Sequence, residues 1–175
     1  LQDRTDATLE EIDSAVKFKL GFPMGIFELA DFTGMDVIHK ATVEMHLRDK
    51  KVINPHKTVE KMFDEKKLGQ KSGEGYYKYS DDKYERVELS EELAQKCDPI
   101  QLVANILNNA AWLITNGASD IEEIEKAAKL GLGLRKPLFE TAKEIGIQNI
   151  VEELNKLAQE HGEFYKPDPF LESMI

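Results

Sequence analysis

The chain repeats itself. Shifted by 112 positions, residues 10–34 lie over residues 122–146 without a gap, and 11 of those 25 positions are identical. Glu10/Glu122, Ile12/Ile124, Gly21/Gly133, Phe27/Phe139, Glu28/Glu140 and Gly34/Gly146 are among them. The same offset pairs Ile38 with Ile150, Pro55 with Pro167, Val59 with Leu171 and Met62 with Met174. A match at one fixed offset over this length means a duplicated structural unit, and it must be recognised before any domain is drawn. The units are expected at 1–80 and 98–175, joined by a linker at 81–97.

Each copy is organised around one stretch, which in the first runs from Gly21 to Gly34. Gly21 ends what precedes it. Pro23 fixes φ where a helix can begin, and Met24 to Phe32 carry apolar residues at helical spacing. Gly34 is suited to a left-handed cap, and Met35 opens the next helix. Upstream, Thr8-Leu-Glu-Glu11 is a capping box for a helix to about Phe18, matched by Asp120-Ile-Glu-Glu123 in the second copy. Downstream, helices are predicted over 35–49, with Val37, Ile38, Ala41, Met45 and Leu47 inward, and over 56–66.

Leu68-Gly-Gln-Lys-Ser-Gly-Glu-Gly75 then demands a loop with special backbone angles, and Tyr76–Tyr79 reads as an extended segment. A short helix is expected near Ser90–Cys97. Asp98-Pro99 starts a long helix to about Thr115, with Leu102, Ile106, Trp112 and Leu113 near one face and Gly117 at its end. Helices dominate, so the fold class is all-α.

Composition excludes several functions. A net charge of −10 with no basic stripe argues against nucleic acid. No apolar run approaches a membrane span. The single cysteine, Cys97, rules out a disulfide framework and points to a reducing, cytoplasmic setting. The chain starts at Leu1 without a signal-like segment and is expected to be a piece of a longer protein.

Two motifs about 45 residues apart now carry a resemblance. Ile12-Asp13 with Gly21-Phe-Pro-Met-Gly25 and Phe27-Glu-Leu29, followed by Lys67-Leu-Gly-Gln-Lys-Ser-Gly-Glu-Gly-Tyr-Tyr-Lys-Tyr79, resembles the C-terminal domain of 3-hydroxyacyl-CoA dehydrogenases. The resemblance covers about residues 5–79, and a degenerate second copy about 98–173. Tandem copies resemble the multifunctional fatty-acid oxidation proteins and the archaeal dehydrogenase–hydratase fusions.

The resemblance implies a helical fold like the C-terminal domain of 6-phosphogluconate dehydrogenase. It also implies two units packed as a pseudo-dimer and a role in β-oxidation of 3-hydroxyacyl-CoA to 3-ketoacyl-CoA. NAD would be bound by an N-terminal Rossmann domain carrying a His–Glu pair, and an enoyl-CoA hydratase could be fused to it. The helical domain would close over the acyl-CoA. An Asn on the helix before the Thr5 position would help hold the thioester oxygen. No G-x-G-x-x-G fingerprint follows a strand here, and the position matching that Asn in the second copy falls near Ile100. No catalytic, cofactor-binding or metal-binding residue is therefore assigned, and this chain alone should be inactive. Where the family usually has Pro, this chain has Ile26. The Lys71–Tyr77 motif after the corner argues against another 3-hydroxyacid dehydrogenase.

The candidate substrate-binding residues are Pro23, Met24, Gly25 and Phe27. Gly25 would permit close backbone approach and the short helix would offer free N–H groups, although a core corner would use the same residues. Arg135 and Lys136 replace Pro23 and Met24 in the second copy, which suggests an exposed corner. Lys71–Gly75 could cradle a phosphate, but a structural loop pinned by Tyr76 and Tyr77 competes with that reading. Glu28 and Glu140 are expected in structural bonds at the repeat contact, and Asn108 and Asn109 in a polar contact between units. His39, His46, His56 and His161 lack zinc-like spacing. The alternative function is an assembly module that binds no acyl-CoA.

Overall fold

Residues 5–50, 52, 54–81 and 83–175 are described by a computed structural model. The Leu1 end of the first unit lies outside them. The first unit comprises α1 (Leu9–Phe18), α2 (Ile26–Thr33), α3 (Met35–Arg48) and α4 (Lys57–Asp64). A 3-10 turn at Gln70–Ser72 leads to a two-stranded antiparallel ribbon, β1 (Tyr79–Ser80) and β2 (Lys83–Tyr84), with Tyr79 opposite Tyr84. Then come α5 (Glu91–Ala94) and α6 (Ile100–Thr115). The second unit follows with α7 (Ile121–Gly131), α8 (Leu138–Ile145), α9 (Ile147–His161) and α10 (Pro169–Glu172).

Several caps are where the sequence put them. However, α2 begins only at Ile26 with Gly25 as its N-cap, three residues after Pro23, and α6 begins at Ile100 with Pro99 as its N-cap, Asp98 accepting the Ile100 N–H. Thr8 and Glu11 form the capping box of α1, and Asp120 accepts the Glu123 N–H at the head of α7. Gly34 and Gly146 each close one helix and open the next at positive φ. Ladder pairing begins only at Tyr79, later than the expected Tyr76, because the N–H groups of Tyr76 and Tyr77 are taken by a side chain. Residues 83–97 fold back onto the first unit. They contribute β2 and α5, which packs on α1, and bury Leu89, Ala94 and Cys97.

Two expected faces are corrected. On α3, Val37, Met45 and Leu47 are exposed, and of the helix's apolar residues only Met35 is fully buried. On α6 the buried stripe is Val103, Ala104, Leu107, Ala110 and Ala111, while Trp112 and Leu113 face outward. The three alanines let the backbone of α6 approach α9 closely, and the larger residues are left on the flank. The two cores are unequal. The second unit gathers most of the buried residues around α6, α8 and α9, whereas the first has a small cluster of Ile12, Ala15, Phe27, Tyr77 and Cys97.

The units touch through their equivalent corners. Leu20 and Phe22 pack into the second unit's core, and the N–H of Arg135 donates to the Gly21 carbonyl at 3.0 Å.

Candidate functional site

The corner at Gly21–Phe27 is built by a carboxylate from another helix. The first turn of α2 has orphan N–H groups, and its N-cap, Gly25, has no side chain to satisfy them. Asp13, on the buried face of α1, does so instead. Its Oδ1 accepts the Phe27 N–H at 2.8 Å and its Oδ2 accepts the Glu28 N–H at 3.1 Å. The Tyr77 hydroxyl donates to the same Oδ2 at 2.9 Å. Glu28 reaches back to accept the Gly25 N–H at 2.8 Å.

Gly25 is required because a Cβ there would collide with the Asp13 carboxyl. Asp13 is fully buried, and desolvation pushes its carboxyl up to about 6 against the pull of its donors. Burial beside that carboxyl also pushes the Tyr77 phenol up.

The second copy repeats the device with a longer side chain. Glu125, at the position of Asp13, accepts the N–H groups of Leu138 and Phe139, both at 2.7 Å. The extra methylene moves the cap one residue toward the start of its helix.

Of the four candidate substrate residues, Pro23 is exposed and Met24 half-buried, while Gly25 and Phe27 are buried. Phe27 lies under Tyr76, ring centroids 4.6 Å apart. The N–H groups of Gly25, Phe27 and Glu28 are all donated to carboxylates, so they are not the free donors the short helix was expected to offer. Arg135 and Lys136 are exposed, as their charges suggested.

The glycine-rich loop is fastened to α2 by a second buried carboxylate. Asp31 accepts the N–H groups of Tyr76 and Tyr77 at 2.8 and 2.9 Å, and the Tyr79 hydroxyl at 2.9 Å. A Cβ at Gly69 or Gly75 would run into Asp31 itself. Ser72, Gly73 and Gly75 donate their N–H groups to carbonyls of the same loop, and Lys71 pairs with Asp36. With those N–H groups engaged and Asp31 fastening the loop to α2, the bonds favour the structural reading of the loop over a phosphate cradle.

Sequence reasoning missed Asp31 and Arg86. Arg86 comes from the charged stretch after the ribbon, where no period marks it. Its guanidinium lies 5.1 Å from the Tyr77 ring and 4.4 Å from the Tyr84 ring, and it pairs with buried Glu28. Glu28 is thus in a structural ion pair, although away from the repeat contact, and Glu140 is exposed. Asn108 likewise bonds within the second unit, to the Lys166 carbonyl at 2.8 Å and the Asp168 N–H at 2.7 Å. Asn109 reaches only its own helix. His39 stacks on Phe63 with centroids 4.3 Å apart.

Beside the corner, α2, α3 and α4 enclose an open apolar groove of about 320 Å³, lined by Ile26, Leu29, Ala30, Met35, Ile38 and Val59 among others. The described residues do not fit a dinucleotide. Their strands are a two-residue antiparallel ribbon, and Gly131-Leu-Gly133 lies at the end of α7, not after a parallel strand. Among the described residues no helix is long and apolar enough to cross a membrane.

Comparison with known proteins agrees with this architecture. The family model for the 3-hydroxyacyl-CoA dehydrogenase C-terminal domain matches residues 1–79 and again 101–175. The chain belongs to that family, twice over. The mitochondrial hydroxyacyl-coenzyme A dehydrogenase of Rattus norvegicus is 41% identical over 81 residues, covering 45% of this chain and 26% of the relative. The fatty acid oxidation complex subunit alpha of Idiomarina loihiensis is 28% identical over 190 aligned residues, covering 95% of this chain and 26% of that one. The crystal structure of 3-hydroxybutyryl-CoA dehydrogenase from Escherichia coli shares the fold across both units. Its TM-score is 0.75 at 20% identity, over 99% of this chain and 55% of that one. The chain spans about a quarter of the length of the curated relatives it matches.

Proposed function

We propose that this chain is the substrate-closing and assembly region of an NAD-dependent 3-hydroxyacyl-CoA dehydrogenase, which oxidises 3-hydroxyacyl-CoA to 3-ketoacyl-CoA in fatty-acid β-oxidation. The observation that carries the reading is the Gly21–Phe27 corner. Asp13 and Glu28 fix its backbone with three hydrogen bonds, and the Tyr77 hydroxyl holds Asp13 with a fourth, while Pro23 stays exposed and Met24 half-exposed. A surface held that rigidly can present Pro23 and Met24 to the acyl or pantetheine part of a thioester. Gly25 and Phe27 then set the shape of the corner from beneath.

NAD would be held by a Rossmann domain of the same protein, and hydride and proton transfer belong there. The match to a fatty acid oxidation complex subunit supports a fused hydratase as a further partner. The second unit, with a charged pair at its own corner and the Arg135–Gly21 bond to the first, serves as a scaffold in a pseudo-dimer. The single, buried Cys97 is in keeping with a cytoplasmic setting.

The test joins this chain to an NAD-binding domain of the family and follows NADH oxidation by acetoacetyl-CoA. Activity that depends on this chain, with a KM raised several-fold by Met24→Ala at unchanged melting temperature and by Pro23→Ala as well, is expected. Equal activity without this chain would overturn the reading.

A further inference from the structure

The two copies support their corners differently. One part of the support is in both: Asp13 caps the first turn of α2, and Glu125 caps that of α8. The other part is in the first copy alone. There Glu28, 4% exposed, accepts the Gly25 N–H at 2.8 Å through Oε2, while Oε1 takes the Arg86 guanidinium. The 112-residue offset puts Pro137 where Gly25 stands, and proline has no N–H to give. It puts Glu140 where Glu28 stands, and Glu140 is exposed. A support common to both copies serves the fold. One confined to the copy with Pro23 and Met24, and lost where Arg135 and Lys136 replace them, serves the surface that those two residues form.

Arg86 reaches Glu28 from residues 83–97, the stretch packed along α1. That stretch is well anchored, with Leu89, Ala94 and Cys97 buried and the Ser90 N–H donating to Ser14 Oγ at 3.3 Å. The Arg86 side chain is 9% exposed, its guanidinium set against the Tyr77 and Tyr84 rings. Asp13, a second buried carboxyl, is bonded to the Glu28 N–H, so a buried Glu28 charge needs a cation beside it. Without Arg86, Glu28 would turn outward, as Glu140 does, and leave the Gly25 N–H without its acceptor.

We propose that Arg86 is a positioning residue for thioester binding: through Glu28 it holds the Gly25 amide, and with it the Pro23–Met24 surface, in the shape that receives the acyl or pantetheine part. The inference rests on the reading of that corner as substrate-contacting. Because Arg86 is buried and acts through Glu28, its effect falls on affinity and not on the chemical step.

The test uses this chain joined to an NAD-binding domain of the family, with acetoacetyl-CoA as substrate and NADH oxidation as readout. Arg86→Lys keeps the charge but loses the planar fork, and Arg86→Met removes both. Each should raise KM several-fold with kcat unchanged, Arg86→Met the more. Adding Glu28→Gln, whose amide oxygen accepts the Gly25 N–H without needing a cation, should return KM toward the native value. If Arg86→Met does not fold, Arg86→Lys carries the kinetics. Amide exchange, followed by NMR on protein with isotope-labelled glycine and phenylalanine, then locates the effect. In Arg86→Lys the Gly25 N–H should exchange faster while the Phe27 N–H, held by Asp13, keeps its rate. Met24→Ala separates the two claims. A KM raised by Met24→Ala but by neither Arg86 variant, or Gly25 and Phe27 exchange rising together, would overturn the role of Arg86 and leave the corner as the substrate surface. A KM unmoved by Met24→Ala would overturn the reading of the corner and this inference with it.

Discussion

The Arg135 N–H donates to the Gly21 carbonyl at 3.0 Å, and the bond that two-fold symmetry would return is missing for a covalent reason. The residue 112 positions before Arg135 is Pro23, which has no N–H. Its ring instead fills the space above Gly133, where a Cβ would sit 3.2 Å from the proline Cγ. The duplicated corners thus meet almost symmetrically, one side through a hydrogen bond and the other through packing.

This contact can be tested by a double-mutant cycle. Gly133→Ala places a methyl against Pro23 at a positive φ and should cost about 1–2 kcal/mol. In a Pro23→Ala background the steric part disappears, so the two changes should fall short of additivity by about 0.5 kcal/mol or more. Urea unfolding of the four variants supplies the numbers. Strict additivity would mean that the corners do not press on each other in solution.

Asp13 makes stability depend on pH with an unusual sign. The unfolded carboxyl releases its proton near 3.8, while burial holds the folded one to about 6. Between these values the folded state carries the extra proton, so stability is greatest below about pH 4 and declines as pH rises to about 6. The contribution lost is about 3 kcal/mol at most. A protonated Asp13 can donate to Tyr77, whose hydroxyl then accepts. Denaturation midpoints at pH 4, 5, 6 and 7 should fall and then level, and Asp13→Asn should flatten that slope. A slope unchanged in Asp13→Asn would assign it to another group.

Gly25 and Asp13 occupy each other's space, so their substitutions should couple. Gly25→Ala drives a methyl into the carboxyl and should cost about 2–3 kcal/mol. Asp13→Ser opens room, and the added cost of Gly25→Ala in that background should drop by about half. Thermal melts of the single and double variants decide it, and an undiminished cost would show that the glycine is needed for another reason.

Arg86 neutralises buried Glu28, so removing it leaves a charge without a partner. Arg86→Met should cost about 3–5 kcal/mol, whereas Arg86→Met with Glu28→Gln should recover much of the loss. Failure of the double variant to recover would place the importance of Arg86 in its stacking on Tyr77 and Tyr84.

Much of this fold was legible because its signals are local. Thr8 and Asp120 are caps readable from four residues, and Gly34 and Gly146 mark breaks that the repeat shows twice. The roles of Asp13 and Asp31 were not legible. Each satisfies backbone N–H groups far along the chain, at Phe27 and at Tyr76, and no periodicity encodes such a bond. The duplication did hold a clue to Asp13, since an acidic residue recurs at Glu125. The apolar face of α3 misled because periodicity marks a stripe without showing what packs on it, and Val37, Met45 and Leu47 are exposed. On α6 the large residues drew attention, while the alanines set the closest packing.

Calorimetric titration of this chain with acetoacetyl-CoA, repeated on Pro23→Ala and Met24→Ala, bears most directly on the role of the corner. Saturable heat with the native chain, weakened several-fold by either substitution while free CoA binds less tightly, is the expected result. Binding that neither substitution alters, or no heat at millimolar ligand, would contradict a substrate-contacting corner and leave this region with assembly alone.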